Sequence, residues 1–412
     1  MEYRQHQLSN GLTILAECNP RAYMSAFGFF VKAGSRDETL NIGGVSHFLE
    51  HMVFKGTPNR SAEQVNLELD EMGSSSNART CEESTVYHAA VLPEFQSQMV
   101  GLMTDLMRPS LREADFETEK KVIIEEIMMY QDQPPYGGHE QIMASFFGEH
   151  SLGQSVLGTV DTVTHLTSCQ MRDYFHSRYS PGNIAFAAAG NVDFQQMVDD
   201  LERACGDWQP SQVNRTFERA NYQTGFECLH KSASHQQYIL QLSPGPSAES
   251  SERFTSRVAT AILGDDSGSR MYWEFLDSGV AESAGAGSYE YLNNGLVLTY
   301  ICCSPDAAQD NLVRLKQLQD QFQEQGITQK ELDLAKRKIA SHIVLSSERT
   351  ESRMFSVGAQ WLVDQPFKTV SEIAEIYDSI TLDQVNDVIR SYPKRTNTTL
   401  VVGPRTDLQP AP

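Results

Sequence analysis

Gly43-Gly44-Val45-Ser46-His47-Phe48-Leu49-Glu50-His51-Met52-Val53-Phe54-Lys55-Gly56-Thr57-Pro58 is the stretch from which the rest of the chain can be read. On a helix, His47 and His51 project from the same face, and Glu50 sits beside them. Two imidazoles so placed can share one metal ion, and Glu50 lies within reach of a proton on a water at that ion. Lys55, Gly56 and Pro58 are helix stop signals, so the helix runs about three turns. Its apolar residues Val45, Phe48, Leu49, Met52 and Val53 surround the His/Glu cluster and are expected to bury it.

Two histidines leave a catalytic zinc short, because such sites use three protein ligands and keep one position open. The segment Glu117 to Tyr130 supplies the third. Acidic residues open it, as suits the positive end of a helix dipole. Phe116, Glu119, Val122, Ile123, Glu126, Ile127 and Tyr130 then recur at three- and four-residue spacing. Two carboxylates on an apolar stripe are costly unless paired, hydrogen-bonded or metal-bound. Glu125 and Glu126 compete for the ligand role, and they point about 100° apart. Glu126 is in phase with the stripe and is the expected ligand. Glu119 is expected to orient a ligand or hold a proton.

H-x-x-E-H is the inverzincin signature, and the chain resembles the pitrilysin-type zinc metallopeptidases. These include insulin-degrading enzyme, mitochondrial processing peptidase and small bacterial processing proteases. The resemblance spans nearly the whole chain. It rests on Gly43–Thr57, on Glu117–Glu126, and on Asn10-Gly11-Leu12, Ser155–Thr159, Tyr179–Asn183 and Ala189–Asn191. It implies that His47, His51 and Glu126 bind one Zn²⁺ per chain and that Glu50 is the catalytic base. It also implies that Met72–Thr80, followed by Glu83, Thr85, Val86 and Tyr87, forms an edge strand beside the zinc. Asn77, Ala78 and Arg79 would there contact a peptide bound by strand addition. An open strand edge captures extended chains through its unpaired N–H and C=O groups, with limited demand on sequence.

One departure from the family pattern falls in the second half. Relatives place an Arg and a Tyr there that reach substrate, and in this chain the corresponding positions fall near Leu276 and at Glu282. Arg270, Tyr272 and Tyr289 are the candidate substitutes.

At 412 residues the chain is long enough for two or three domains with ample core. No apolar run approaches membrane-spanning length. Met1-Glu-Tyr-Arg-Gln-His leads directly into a strand pattern, so no signal peptide is expected. The seven cysteines are scattered, without C-x-x-C, as expected of reduced thiols in a cytoplasmic protein. The net charge of −21 argues against nucleic acid as partner. An acidic surface ordinarily serves solubility; the sharper reading is that part of the charge lines a chamber and attracts basic peptides.

The chain reads as two copies of one unit. Gln170–Gly190 gives a helix, a turn and a strand, and Gln384–Gly403 repeats that grammar half the chain later. Glu331–Ile339 echoes Asp115–Ile123, which sets His342 opposite Glu126. The second copy carries no H-x-x-E-H. Duplication at domain length points to whole domains rather than a solenoid. The boundary is expected near Trp208–Arg215, giving a zinc-binding domain over 1–210 and a homologous non-metal domain over 220–412. Strands are predicted at Leu12–Glu17, Ser25–Lys32, Ser84–Leu92, Gln237–Leu242, Gly295–Cys303 and Thr398–Val402. The expected fold class is α+β, two tandem homologous domains, each an antiparallel-rich sheet with helices packed on one face.

The resemblance then implies a zinc-dependent endopeptidase that cleaves short or unfolded peptides inside a closed chamber. Relatives enclose the site between two paired halves and this chain supplies one, so a homodimer is expected. The alternative is a non-catalytic binding or assembly subunit. A zinc hydrolase of non-peptide amides is a third option, against which the edge strand speaks.

Overall fold

The computed structural model describes residues 1–394 and 396–412. Eleven strands occur among them: β1 (Glu2–Gln7), β2 (Thr13–Cys18), β3 (Ser25–Val31), β4 (Ser75–Thr80), β5 (Thr85–Val91), β6 (Ile184–Gly190), β7 (Gly225–His230), β8 (Gln237–Pro244), β9 (Ser283–Tyr291), β10 (Asn294–Cys303) and β11 (Thr398–Gly403). They form two sheets, ordered β1-β2-β6-β3-β5-β4 and β7-β11-β8-β10-β9. Within each sheet one pair is parallel, β2 with β6 and β7 with β11, and the other pairs are antiparallel.

The six predicted strands are present with ends shifted by a residue or two. β7 and β9 have no counterpart among the predictions. Both are sheet edges, and β9 (Ser-Ala-Gly-Ala-Gly-Ser-Tyr-Glu-Tyr) is mostly small residues without alternation.

The first unit comprises residues 1–128, 154–216 and 345–367. One face of its sheet, through Phe27, Phe29, Val31, Tyr87, Ala89 and Val91, packs on a core that includes Phe48, Met99, Phe116, Ile123 and Met171 from the helices. The opposite face, through Leu15, Ala26, Phe30, Val86 and Ala90, is covered by Met354 and Val357 of the helix Thr350–Leu362.

The second unit comprises residues 129–153, 217–344 and 368–412. Its sheet packs on the helices Glu252–Gly264, Ala308–Gln325 and Leu382–Ser391 through Ile239, Ile301 and Val401. Its other face carries Ile142, Met143, Phe146 and Phe147 of the helix Gly138–Phe147 against Leu240, Leu242 and Val402.

The expected division into 1–210 and 220–412 contains no such reciprocal exchange. Residues 129–153 cluster with the second sheet and 345–367 with the first. Helical periodicity marks a helix's apolar face but not which sheet receives it, so the exchange leaves no mark on local pattern. Among the described residues, no helix is long and apolar enough to cross a membrane.

Candidate metal centre

The motif helix spans Val45–Val53. It starts at Gly44, whose φ of 92° is left-handed and open to glycine at little cost. No side chain at the N-cap can bond the first turn, and Glu38 does so from outside. Its two carboxylate oxygens accept from the Gly44 and Ser46 N–H groups, each at 2.7 Å. A carboxylate at a helix N-terminus meets both the unpaired donors and the positive dipole end. Burial pushes the Glu38 carboxyl up to about 7, against those two bonds and the Ser46 hydroxyl.

Val45, Phe48, Leu49, Met52 and Val53 are buried. Phe48 stacks on Phe116 with centroids 4.6 Å apart and planes 11° from parallel. That stack joins the motif helix to the long helix Glu113–Asp132.

The other face of the junction carries the polar groups. His47 and His51 lie with ring centroids 4.8 Å apart. Glu126 Oε2 stands 3.5 Å from His51 Nε2 and 3.9 Å from His47 Nε2. One ligand atom from each of His47, His51 and Glu126 lies within 4.8 Å of the others. Glu125 is exposed. On the predicted stripe, Phe116, Glu119, Ile123 and Ile127 are buried, but Val122 and Tyr130 are exposed at 48% and 45%. The buried face is narrower than the spacing indicated.

Glu119 accepts at 2.9 Å from His51 Nδ1, and its second oxygen pairs with Lys55 Nζ at 2.6 Å. Engaging Nδ1 turns Nε2 toward Glu126. Burial, with His51 beside it, pulls His47 down to about 3, so its imidazole is neutral and can act as a ligand. Glu50 accepts from the Thr80 hydroxyl at 2.5 Å. Burial raises the Glu50 carboxyl above its ordinary range, and the Thr80 bond opposes that rise.

This donor set fits zinc: two imidazole nitrogens and one carboxylate oxygen converge, and one ring is already oriented by an outer carboxylate. Charge agrees, since three carboxylates (Glu50, Glu119, Glu126) face one ammonium (Lys55), a shortfall that a dication would meet.

β4 is the free edge of its sheet, paired only with β5. Thr80, which holds Glu50, lies on it, and Ala78 shares the Thr80 face by alternation. Asn77 and Arg79 fall on the opposite face, across from His88 and Val86. The Arg79 guanidinium lies 5.5 Å from the Phe355 ring centroid. The side chain of Asn77, one of the expected peptide contacts, thus faces away from Glu50, because a strand turns alternate residues to opposite faces.

Of the candidate substitutes in the second unit, Arg270 is bound to Glu331 at 2.8 Å and to the Gly326 carbonyl at 2.7 Å. Its guanidinium serves that unit's own packing. Tyr272 meets Trp273 edge-on, and Tyr289 is 43% exposed on β9.

Sequence reading missed Glu38, Lys55 and Thr80 as parts of the site. Lys55 carried a signal, since it continues the His47/His51 face by one more turn. Glu38 and Thr80 are brought in by loop and strand geometry that no spacing rule encodes.

The family model described as insulinase (peptidase family M16) matches residues 13–160, and the model for the peptidase M16 inactive domain matches residues 165–339. An uncharacterized zinc protease of Streptomyces coelicolor is 31% identical over 98% of this chain and 90% of its own length. One of Bacillus subtilis is 29% identical over 94% of this chain and 95% of its own. In structure, a protease from Helicobacter pylori superposes with a TM-score of 0.91 at 19% identity, covering 98% of this chain and 99% of that one. An M16-like peptidase from Alicyclobacillus acidocaldarius does so with 0.86 at 19% identity, covering 97% and 98%.

Proposed function

The chain belongs to the M16 (insulinase) peptidase family, and from that premise we propose that it is a zinc-dependent endopeptidase acting on short or unfolded peptides. The observation that carries this reading is the convergence of His47, His51 and Glu126 beside a buried glutamate held by the edge strand. Those three side chains would hold one Zn²⁺. Zinc, when bound, supplies Lewis acidity to the attacking water and the scissile carbonyl.

The protein's own groups do the rest. Glu50 takes a proton from the water as its oxygen bonds to the carbonyl carbon. It returns that proton to the amine nitrogen as the C–N bond breaks. The Thr80 hydroxyl holds the Glu50 carboxylate in place between the two transfers. The free edge of β4 would take the peptide as an added strand through backbone hydrogen bonds, Ala78 lying on the Thr80 side. Asn77 and Arg79 would then contribute through their backbone. A second copy of the chain would complete the chamber, which sedimentation would register as a dimer.

The alternative, a non-catalytic subunit, draws on the family resemblance, whose usual Arg and Tyr positions fall near Leu276 and at Glu282 and are filled by neither residue. Glu50→Gln decides between them. In a quenched-peptide assay it is expected to lower turnover about 1,000-fold with zinc content unchanged. A fully active Glu50→Gln protein refutes the mechanism, and a parent protein that binds zinc without cleaving any peptide of an unbiased library favours the subunit.

A further inference from the structure

The turn that follows the motif helix is fastened at two points, and one residue, Lys55, lies at both. The Lys55 ammonium pairs with Glu119 at 2.6 Å. The Lys55 carbonyl accepts from Arg112 Nη2 at 2.6 Å. Arg112 lies one residue before the long helix and is itself tied to Asp115 at 2.6 Å. The backbone there is fixed. The Lys55 N–H bonds to the Met52 carbonyl at 3.1 Å, and Gly56 follows at a φ of 106°. A Cβ at Gly56 would come within 2.8 Å of the Arg60 carbonyl oxygen. Lys55 therefore extends from a rooted turn.

His47, His51 and Lys55 recur every four residues, Lys55 in the turn just past the helix, while Glu119 and Glu126 lie two turns apart on the facing helix. Glu119 is 5% exposed in its side chain and bridges His51 Nδ1 to Lys55 Nζ. The chain Lys55–Glu119–His51 thus runs along the junction and ends at the ring whose Nε2 faces Glu126.

We propose that Lys55 is a positioning residue for the metal set: its ammonium locks Glu119 in the rotamer that aims His51, and so fixes the register of the two ligand-bearing helices. The proposal rests on His47, His51 and Glu126 being the zinc ligands, and it adds a residue that touches none of the reacting atoms.

Position and charge predict opposite signs. A cation close to a dication repels it, so if Lys55 acted through charge alone, its neutralisation would tighten zinc binding. If Lys55 acts by position, neutralisation loosens it. Outer-shell partners of metal ligands are worth roughly 10- to 100-fold in affinity. Lys55 is one contact further out, and about 10-fold is expected.

The test measures zinc affinity by competition with a chromogenic chelator. It compares the parent chain, Lys55→Met, Lys55→Gln, Lys55→Arg and Glu126→Gln, each checked for folding by thermal unfolding without metal. Expected are one zinc per parent chain, its loss in Glu126→Gln, and about 10-fold weaker binding in Lys55→Met. Lys55→Arg, which keeps the cation, should restore most of that loss. Equal or tighter binding in Lys55→Met overturns the proposal, and so does weakened binding that Lys55→Arg leaves unrestored. Lys55→Gln answers the same question if the methionine variant does not fold. A parent chain that binds no zinc, or a Glu126→Gln chain that binds as well as the parent, instead overturns the ligand assignment on which the proposal rests.

Discussion

Between a central strand and its free edge strand, each unit carries a helix that meets that edge through a polar contact, and the two contacts differ in kind. In the first unit the motif helix offers Glu50 to the Thr80 hydroxyl of β4. In the second, the helix Glu252–Gly264 offers Arg257, whose Nε lies 2.7 Å from Glu290 of β9. The strand orders β2-β6-β3-β5-β4 and β7-β11-β8-β10-β9 correspond pair for pair, including the single parallel pairing. The architecture is duplicated but the chemistry is not. An arginine–glutamate pair satisfies itself, and neither partner remains available. A carboxylate held by a neutral hydroxyl keeps its charge uncompensated and can still accept a proton. The facing helices differ likewise. Glu119 of the first is buried, and the internal alignment sets Ala335, also buried, at its place in the second. Glu126 corresponds to His342, which is exposed.

Moving the buried carboxylate from one unit to the other breaks this comparison most severely. Ala335→Glu puts a carboxylate into a buried position whose neighbouring cation, Lys338, is already paired with Asp265, and about 3 kcal/mol of unfolding free energy should be lost. Glu119→Ala should lose less than half of that in the metal-free protein, because Lys55 can turn to water. It should nevertheless weaken zinc binding by about 10-fold or more. Denaturant unfolding of both variants, with chelator competition on the second, checks the pair. An Ala335→Glu chain as stable as the parent would mean that the two helices tolerate a buried acid alike.

How much of this was open to a reader of the sequence follows from the range of each interaction. His47, Glu50 and His51 lie within two turns of one helix, so their shared face is fixed by helical geometry alone. Glu126 was reachable because phase on a helix separates it from Glu125. The central strands β3, β5, β8, β10 and β11 announced themselves as apolar runs. The free edge β9 did not, since its first six residues are Ser, Ala and Gly, which leave no side-chain pattern to read. The reciprocal exchange of Gly138–Phe147 and Thr350–Leu362 stayed hidden because each helix is amphipathic whichever sheet it covers. Thr80 and Glu38 stayed hidden because their roles come from a strand register and a loop.

The second unit also buries an ionisable group, and its pH dependence sharpens the contrast. Burial pushes the Lys394 amine from its ordinary 10.5 down to about 7. Between those values the unfolded chain holds a proton that the folded chain lacks, so stability rises as pH climbs from about 7 to 10.5. Below 7 the full cost of burial is present. Tyr392, lining the same small cavity, is pushed up to about 12 by burial and Glu252, above that window. Lys394→Met should remove the rise and stabilise the protein at pH 7 by on the order of 3 kcal/mol. Unfolding free energies at pH 6.5 and 9.5 that differ equally in parent and variant would show that Lys394 titrates normally.

The smallest expected effect probes the contact that opened the comparison. Thr80→Val keeps the β-branched shape that suits an edge strand and deletes only the hydroxyl on Glu50. Zinc content should stay at the parent level, since no metal ligand is touched. A hydrogen bond to a charged group contributes about 1.5–3 kcal/mol, part of which water can replace, so kcat should fall about 10-fold with KM little changed. A loss expressed in KM would instead assign Thr80 to peptide capture along β4. A loss expressed in zinc content would mean that the hydroxyl supports the motif helix as a whole. The split among kcat, KM and metal therefore tells whether the first unit's edge contact has been turned to catalysis or only preserves the scaffold common to both.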